Sequence, residues 1–507
     1  REAMLGEFDA VHGGFGSAPK FPQPAGLDAL LGQAMRTHDA AARDAVLLTL
    51  RRMAEGGLYD HLGGGLFRYS TDARWLIPHF EKMLYDNGPL LRLYAQAWQL
   101  SAEPLLREVC EGTAAWLMRE MQAGDAGGGY FSSLDADSEG VEGRYYLWQR
   151  DAVAQVLDAA EFAVFAARYG LNGAPNFEGQ TWHLHAAMPV AEVARQLGRP
   201  PAECDVLLEN ARARLLARRE ERVRPGRDDK VLTAWNALAI EGMAYAARVF
   251  GEPRWAESAR RALDSLGSSL WRDGRLLATH HDARAPLNAY LDDHAFLLAA
   301  LLEVMQGGPL QMSDLRFACA LADAMLDAFE DAHDGGFFFT RHDHEVLVLR
   351  LKSGYDAATP SGNGMAALHL QRLGHLVGEP RYLDAARRTL ALFGAEMQRV
   401  PHAFATLVSA LAEYVAPPTL VLLTGPAGAC AAWRAELDRS YRPGVLVLQL
   451  PLDTAGLPAA LVKPVSSVVQ AWLCRGTQCL APIAGIELLI ETLSGDAEHA
   501  RAQFFSR

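Results

Sequence analysis

The stretch NALAIEGMAYAARVFGEPRWAESARRAL, residues 236–263, decides the fold, because a second copy follows it. The second copy is NGMAALHLQRLGHLVGEPRYLDAARRTL, residues 363–390. In both, an asparagine is followed at the same spacing by Gly-Glu-Pro-Arg and an aromatic residue, and then by Ala-Arg-Arg in the same register. Apolar residues recur at helical spacing on both sides of the Gly-Glu-Pro turn, where the proline suits the first turn of a second helix. Each copy is therefore predicted to be a helical hairpin.

Fainter copies extend the repeat over most of the chain. One runs from Asn87 to Glu103-Pro104, and another starts at Asp292 when its turn is aligned on Pro309. The pattern predicts helical pairs near 24–56, 86–122, 150–221, 230–270, 291–331 and 360–399. Because such hairpins bury their apolar faces only by stacking on neighbours, six of them favour a mainly α fold, an (α/α)6 toroid over residues 1–416. An open solenoid such as a tetratricopeptide array is the alternative, which the long and irregular period disfavours.

Two further patterns are not helical. The segment GGYFSSLDADSEGVEGRYYLW, residues 128–148, predicts a strand, a polar turn and a second strand, and Gly-Gly-aromatic steps recur elsewhere in the chain, as in EDAHDGGF. After Pro417 short apolar strands such as TLVLLTG and GVLVLQL flank a helix. Their spacing predicts a small α/β appendage over residues 417–507.

Composition narrows the classes of function. Of the 507 residues 50% are hydrophobic and 21% charged, with a net charge of −13, and no basic tract is interleaved with aromatics. Nucleic acid is therefore not an expected partner. The sequence has no membrane-span or signal-peptide pattern, so no membrane association is expected. Six cysteines are too few for a disulfide framework, and Cys474 and Cys479 are predicted to be a reduced structural pair, from which a cytoplasmic location is predicted.

The repeated asparagines raise the question of a site. Asn87, Asn236, Asn363 and Asp292 each begin a predicted inner helix, and N-capping of that helix explains them individually. In a closed toroid, however, all inner helices start at the same mouth, so residues beside these positions are expected to line a cavity. Carboxylates, imidazoles and aromatic rings that converge on one cavity are typical of a sugar site. The candidate catalytic residues are His79, Glu81, Asp86, Asp135, Asp137, Asp229 and Asp292; the candidate ligand-binding residues are Tyr85, Asn87, Lys230, Trp235, Asn236, Asp293, Ser361 and Asn363.

Two reactions fit these residue types. Hydrolysis of a glycosidic bond needs two carboxyl groups, which the aspartates offer. Epimerisation or isomerisation of a sugar needs a base and a partner acid, commonly two histidines, and His79 with His294 or His61 is the candidate pair. No metal site and no cofactor are predicted, since the histidine spacings of zinc motifs are absent and His280-His281-Asp282 is an isolated cluster.

Several motifs resemble a known family. They include GGLYDHLGGGLFRYSTDARWLIPHFEKMLYDN (56–87), SSLDADSEGVEGRYYLW (132–148), DDKVLTAWNALAI (228–240), YLDDHAFLLAALLE (290–303) and PSGNGMAALHL (360–370). These are similar to the thioredoxin-domain-containing family typified by spermatogenesis-associated protein. The resemblance implies a thioredoxin-like domain joined to an (α/α)6 domain of the six-hairpin glycosidase and N-acylglucosamine 2-epimerase type.

Two departures from the family qualify the resemblance. No paired-cysteine thioredoxin-like segment precedes Arg1, so the chain is expected to be the C-terminal portion, with a thioredoxin-like domain as a partner in the full-length protein. Gly88-Pro89 replaces an alanine-type residue and is expected to break or shift the inner helix, and His294 replaces an aromatic. A non-catalytic scaffold for the thioredoxin-like domain is therefore an alternative to a sugar-binding enzyme.

Overall fold

A computed structural model describes residues 2–124, 127–280, 287–451, 453 and 456–504. Nineteen α-helices lie in this part of the chain, and short π or 3-10 turns follow or join some of them. The helices are α1 (Glu2–Gly6), α2 (Pro24–Thr37), α3 (Ala40–Glu55), α4 (Leu84–Ser101), α5 (Pro104–Trp116), α6 (Arg150–Val156), α7 (Ala159–Arg168), α8 (Val190–Leu197), α9 (Pro201–Glu220), α10 (Thr233–Phe250), α11 (Pro253–Ser269), α12 (Leu291–Val304), α13 (Met312–Phe329), α14 (Gly362–Val377), α15 (Pro380–Leu392), α16 (Gly394–Arg399), α17 (Ala405–Val415), α18 (Ala427–Leu437) and α19 (Ile486–Phe504).

The strands are short outside the C-terminal region. They are β1 (Tyr69–Ser70), β2 (Pro78–His79), β3 (Lys82–Met83), β4 (Ser133–Leu134), β5 (Asp137–Ser138), β6 (Val141–Glu142), β7 (Arg227–Asp228), β8 (Val231–Leu232), β9 (Trp271–Arg272), β10 (Arg275–Leu276), β11 (Thr279–His280), β12 (Thr419–Thr424), β13 (Val445–Gln449), β14 (Gln470–Arg475) and β15 (Gln478–Cys479). The short pairs, such as antiparallel β1–β2 and β3–β4–β7, join the loops that precede the inner helices.

Six helices form a closed inner ring. In order around the ring they are α2, α4, α10, α12, α14 and α17, and α17 packs against α2 to close it. The helices α3, α5, α11, α13 and α15 lie outside and pack against their ring partners. The inner helices are apolar on nearly every face, as the unbroken buried run 236–247 in α10 shows. The predicted (α/α)6 toroid is confirmed.

One predicted hairpin lies outside the ring. Residues 150–221 form α6 to α9, which pack into a separate core around Trp148, Phe165 and Leu215. Their place in the ring is taken by α17. The prediction was wrong because helical periodicity alone does not identify an inner helix: α6, α7 and α8 have ten residues or fewer, and long α9 is largely polar.

A buried ion cluster joins this satellite core to the toroid. Arg219 on α9 donates two hydrogen bonds to the Asp60 carboxylate, at 2.8 and 2.9 Å. Lys82 donates to the same carboxylate at 2.7 Å and to the carbonyl of Gly64 at 2.7 Å. All three charged side chains are almost completely buried, so each depends on the others for compensation of its charge.

Two local predictions have different outcomes. The strand-turn-strand reading of residues 128–148 is confirmed in β4, β5 and β6, where Glu139 and Gly140 both take positive φ in a two-residue turn. The expected break at Gly88-Pro89 is wrong, since α4 runs continuously to Ser101. The small Gly88 is needed instead for packing: a Cβ there would lie 2.5 Å from the carbonyl oxygen of Leu238 on α10.

The C-terminal region packs against one end of the ring. Its four-stranded sheet has the order β13-β12-β14-β15, with β12 and β13 parallel and the other pairs antiparallel. One face of the sheet is covered by α18 and α19, while Leu420, Leu422 and Leu446 of the other face join the toroid core. The Val447 N–H donates to Gln306 at the C-terminal end of α12. A division into two domains at residue 416 stays a prediction.

The expectation of reduced thiols at Cys474 and Cys479 was wrong, because the structure joins their sulfur atoms in a disulfide. The antiparallel register of β14 and β15 places these two residues directly opposite each other, which the spacing in the sequence did not reveal. None of the helices in the described part of the chain is both long and apolar enough to cross a membrane.

Candidate functional site

The repeated asparagines hold the loops that precede the inner helices. The Asn236 Oδ1 accepts a hydrogen bond from the Tyr130 N–H at 2.6 Å, and its Nδ2 donates to the carbonyl of Tyr130 at 2.9 Å. Asn87 makes the same pair of bonds with Leu66, and Asn363 makes them with Phe337. Each amide also donates to a backbone carbonyl near the start of its own helix or in the preceding loop.

These amides are neither N-caps nor free to contact a ligand. All three asparagines are buried, and the residue that each one holds follows a Gly-Gly step. The two patterns that recur in the sequence, the asparagine and the Gly-Gly-apolar step, are therefore hydrogen-bond partners. The geometry assigns Asn87, Asn236 and Asn363 to structure, so we leave them out of the candidate site.

Of the predicted residues at the starts of α12 and α14, Asp293 and Ser361 also have structural contacts, whereas the Asp292 carboxylate has no hydrogen bond to a described residue. The Asp293 carboxylate accepts from the N–H of Ala234 at 2.9 Å and from that of Tyr290 at 2.8 Å, so it links the starts of α10 and α12. Ser361 is the N-cap of α14, accepting from the Gly364 N–H. No described residue is hydrogen-bonded to the Asp292 carboxylate, and burial raises its pKa to about 6.

A cluster of polar side chains lies at the mouth of the ring. The Nδ1 of His79 lies 2.7 Å from Glu142 Oε1, and its Nε2 lies 3.2 Å from Glu81 Oε2. Arg68 donates to the same Glu81 oxygen at 2.9 Å. We call Arg68, His79, Glu81, Asp86 and Glu142 the mouth cluster. The contribution of Glu142 was missed, because the hairpin β5–β6 brings it to His79 from far along the sequence.

Asp86 completes the mouth cluster with a different environment. It is 5% exposed, and its Oδ2 is buried without a hydrogen-bond partner among the described residues. Burial raises the pKa of Asp86 well above its ordinary value; Arg68 opposes this effect and the charge of Glu81 adds to it. A buried carboxyl group with a raised pKa thus lies within electrostatic reach of a carboxylate that pairs with an arginine.

Aromatic rings flank the mouth cluster. Tyr69 stacks between His79 and Phe21, with ring centroids 5.1 and 4.7 Å apart, and Phe21 is 45% exposed. Tyr85 meets Trp235 edge to face at 4.7 Å across the α4–α10 boundary. Partly exposed aromatic faces beside carboxyl groups are what stacking on a sugar ring requires.

The remaining predicted acids lie on exposed strands and turns, and Asp137 on β5 is the ladder partner of Glu142 on β6. Asp135, Asp137 and Asp229 are exposed; Asp229 pairs with Arg227 at 2.6 Å, and Lys230 pairs with Asp228 at 3.0 Å. The structure brings together His79, Glu81, Asp86 and Tyr85, with Trp235 beside them. In the described part of the chain, no side-chain hydrogen bond or ion pair joins that group to Asp135, Asp137, Asp229 or Lys230.

The histidines proposed as partners of His79 are also elsewhere. His294 is buried against Phe329 of outer helix α13, and His61 packs beside Tyr59 and Tyr169. Burial lowers the pKa of His294 to about 4. His281 and Asp282 lie outside the described residues. Within the described ranges, no three histidine, cysteine, aspartate or glutamate side chains are grouped as a metal ion would require.

The residues that line a polar cavity on the ring axis were not predicted. The cavity has a volume of about 50 Å³ and is lined by the N-terminal and middle turns of α2, α4, α10, α14 and α17, including Asp28, Arg92, Glu241 and His369. Trp235 is one helical turn before Leu238, which lines this cavity, so the aromatic pair lies at its mouth end. The sequence feature that could have indicated this cavity is a single charged residue within an apolar inner helix, such as Arg92 or Glu241.

The closed ring and its polar mouth place the chain in the class of six-hairpin toroids. Two solved structures are similar to it, cellobiose 2-epimerases from Spirochaeta thermophila and Bacillus thermoamylovorans, each with a TM-score of 0.51. They are 16% and 8% identical and align with 78% and 77% of this chain and with 81% and 83% of their own. At that identity the likeness shows the fold alone.

Curated relatives give the family. The chain is 32% identical to human spermatogenesis-associated protein 20 over 94% of its length, and 34% identical to the rat protein over 80%. It spans 66% and 56% of those relatives. No family model matches the chain. The chain is therefore a homologue of spermatogenesis-associated protein 20, which confirms the resemblance that the motifs indicated.

Proposed function

We propose that the chain binds a sugar at the mouth of the toroid and acts on a glycosidic bond by acid–base chemistry. The observation that carries the proposal is the pair Asp86 and Glu81: two carboxyl groups in one cluster with different surroundings, since Asp86 is buried with a raised pKa and Glu81 accepts a hydrogen bond from Arg68. Such pairs are the general arrangement by which one site supplies both an acid and a base.

Each member of the pair has a role that follows from its contacts. Asp86, whose pKa is raised by burial, is assigned as the proton donor to the leaving oxygen. Glu81, held by Arg68, is assigned as the base or nucleophile. His79 bridges Glu142 and Glu81, and we assign it to positioning the Glu81 carboxylate.

Asp292 does not suit the second carboxyl position. Helices α4 and α12 flank α10, and neighbouring helices pack about 8–10 Å apart, so α4 and α12 are separated by roughly 15 Å. The Asp292 carboxylate also lies over Gly362 of α14, on the side away from α10. Hydrolysis needs carboxyl groups roughly 5–10 Å apart, which favours Glu81 as the partner of Asp86.

The test is a screen of the purified chain with cellobiose and other disaccharides, followed by nuclear magnetic resonance of the products. Cellobiose is included because the similar toroids are named for it. Release of two monosaccharides supports the proposal, and Asp86→Asn and Glu81→Gln should each lower the rate about a hundredfold or more. Asp229→Asn, at an exposed carboxylate, is the matched control. Unchanged sugars, or equal rates in all variants, would reject the assignment.

Ligand binding is tested separately from turnover. A sugar that binds the mouth at a hundredfold excess over its dissociation constant adds about 2.7 kcal/mol to the free energy of unfolding. That increase should appear as a higher melting temperature in the parent chain and should be smaller in Trp235→Ala. Absence of any shift across mono- and disaccharides, sugar phosphates and uronic acids would favour the scaffold alternative.

A second candidate function, sugar epimerisation, is favoured by His369. This buried histidine lines the axial cavity, and its Nδ1 bonds to the Met365 carbonyl at 2.9 Å, which leaves Nε2 as the available nitrogen. Burial lowers its pKa well below the ordinary value, so it is a neutral base. Carbon-bound deuterium in the product after reaction in D2O, without cleavage, would identify this reaction.

The scaffold alternative also makes a specific prediction. Glu81 and Asp229 are paired with arginines and Asp293 binds backbone N–H groups, as expected of structural acids. The relatives extend beyond the matched portion, and the motif resemblance implies a thioredoxin-like domain as partner. A scaffold would bind that domain and no sugar, and both binding measurements are made on the same chain.

A further inference from the structure

A second polar cavity lies at the opposite end of the ring from the mouth. It has a volume of about 90 Å³ and is enclosed between the C-terminal halves of the inner helices and the segment 437–447 of the C-terminal region. Ser440, Arg442, Pro443 and Gly444 line its outer side and are partly or fully exposed, so the cavity is reached past this loop.

One wall of this cavity carries polar atoms without partners. Gln96 is completely buried, and neither its Oε1 nor its Nε2 has a hydrogen-bond partner among the described residues. The same holds for Arg92 Nε and Asp28 Oδ1. Arg92 and Gln96 are one turn apart on α4, and Asp28 is on the adjacent helix α2, so these groups share one wall.

On the other walls of the cavity, the charged side chains are hydrogen-bonded to one another. Arg372 binds Glu413 through two hydrogen bonds of 2.9 and 2.6 Å, and Arg248 binds Glu303 at 3.1 and 2.8 Å. By contrast, Arg92 is 3.4 Å from Glu241 and 3.7 Å from Asp28, too loosely placed for a good hydrogen bond. Buried polar atoms are normally paired, so the open wall calls for a partner.

We propose that this cavity is a binding site for a small neutral polyol of three to four carbons. Hydroxyl groups both donate and accept, so vicinal hydroxyls can donate to Asp28 Oδ1 and Gln96 Oε1 while they accept from Arg92 Nε and Gln96 Nε2. A volume of about 90 Å³ holds roughly six to nine water-sized groups, which is the size of glycerol or erythritol.

The charge of the lining selects a neutral ligand. Five arginines face four carboxylates around the cavity, and Glu241 lies behind Arg92. A carboxylate group has only acceptors to offer, so placed at this wall it would leave Asp28 Oδ1 and Gln96 Oε1 unpaired beside its own charge. A buried polar atom left unpaired costs about 1–3 kcal/mol.

The experiment uses erythritol as the probe, titrated into the full chain and followed by ligand-observed nuclear magnetic resonance. Erythronate, its acid analogue, tests for an anion site, and 1-butanol tests for apolar filling. The parent chain is expected to bind erythritol with at least tenfold preference over both. Gln96→Leu should weaken erythritol binding tenfold or more while leaving the unliganded chain as stable as before or more stable.

Gln371→Leu is the matched control. Gln371 is equally buried, but its amide donates to the carbonyls of Ala367 and Ala410, and it lines neither cavity. This variant should lose stability and keep its erythritol affinity. The proposal would be overturned by any of three results: a preference for erythronate or 1-butanol, the absence of erythritol binding, or equal binding of erythritol by Gln96→Leu and the parent chain. Asp86→Asn should not change erythritol binding, so this result is independent of the mouth.

Discussion

The side-chain amide of Asn236 is hydrogen-bonded to both the N–H and the carbonyl of Tyr130, at 2.6 and 2.9 Å. The same relationship recurs in two other hairpins, so in three hairpins one amide joins the start of an inner helix to the Gly-Gly step before it. Because Tyr130 is completely buried, water is not available to replace the amide.

Replacement of this amide should therefore destabilise the ring. Asn236→Ala leaves the N–H and the carbonyl of Tyr130 unpaired, and we expect it to lower the free energy of unfolding by about 2–4 kcal/mol. Asn236→Asp, which keeps the acceptor and loses the donors, should be intermediate. Urea denaturation followed by circular dichroism measures both. Asn172→Ala, at an exposed position, should change stability by less than about 0.5 kcal/mol. Equal effects at Asn172 and Asn236 would contradict the role of this amide.

The buried cluster of Asp60, Lys82 and Arg219 predicts a large effect of removing one charge. Asp60→Asn leaves two buried cations without an anion and should destabilise the chain by about 3–5 kcal/mol. Asp44→Asn, which breaks the exposed pair with Arg43, is the control and should change stability by about 1 kcal/mol or less.

The same cluster also predicts how the stability of the folded chain depends on pH. Burial alone would raise the pKa of Asp60, but Arg219 and Lys82 outweigh it and hold that pKa well below its ordinary value. A depressed pKa means that the unfolded chain binds the proton more readily, so this contribution is complete above about pH 4 and is lost as the pH falls further. The stability of Asp60→Asn should not show this loss at low pH in acid denaturation. If the stability of the variant fell with pH as that of the parent chain does, Asp60 would not be the source of the loss.

The pH dependence of stability that Asp292 contributes has the opposite sign to that of Asp60. Burial raises its pKa to about 6, so the folded chain binds a proton that the unfolded chain has released, and stability falls as the pH rises from about 4 through 6. Asp292→Asn should therefore stabilise the chain at pH 8 by about 3 kcal/mol and change little at pH 4. Asp44→Asn, which removes an exposed carboxylate, is the control and should change stability little at either pH. Thermal unfolding at both pH values distinguishes the two variants.

The tight approach of α4 and α10 can be tested at its glycine. Gly88→Ala places a Cβ 2.5 Å from the carbonyl oxygen of Leu238, and we expect a loss of about 1–3 kcal/mol or more through overpacking. Gly267→Ala on outer helix α11 is the control, since its Cβ would meet Phe317 at 3.6 Å, an ordinary contact. That variant should gain about 0.5–1 kcal/mol from helix propensity. A gain at both positions would show that the helices move apart freely.

The fold was largely predictable because the asparagine and the Gly-Glu-Pro turn recur at the same spacing in separate hairpins. The error at residues 150–221 arose because length and periodicity describe a helix without saying what surrounds it. Only the packing shows that α17, a helix of eleven residues, completes the ring.

The site was predictable where its members are neighbours in the sequence. His79, Glu81 and Asp86 come from one continuous motif, and the structure keeps them together. Glu142 reaches His79 through the fold of a hairpin, and Gln96 lies within an apolar helix with no flanking signal. Contacts of that kind depend on which helix faces which, and a single sequence does not contain that information.

The ring is closed by α2 and α17, which lie near opposite ends of the toroid sequence. During synthesis the apolar flank of α2 therefore has no partner until the ribosome has released α17, while the hairpins between them can already stack. Contacts between distant segments are the slowest to form, and exposed apolar surface favours aggregation in the meantime. A nascent chain of this architecture is therefore expected to pass through an open, arc-shaped stage in which the apolar flank of α2 is exposed.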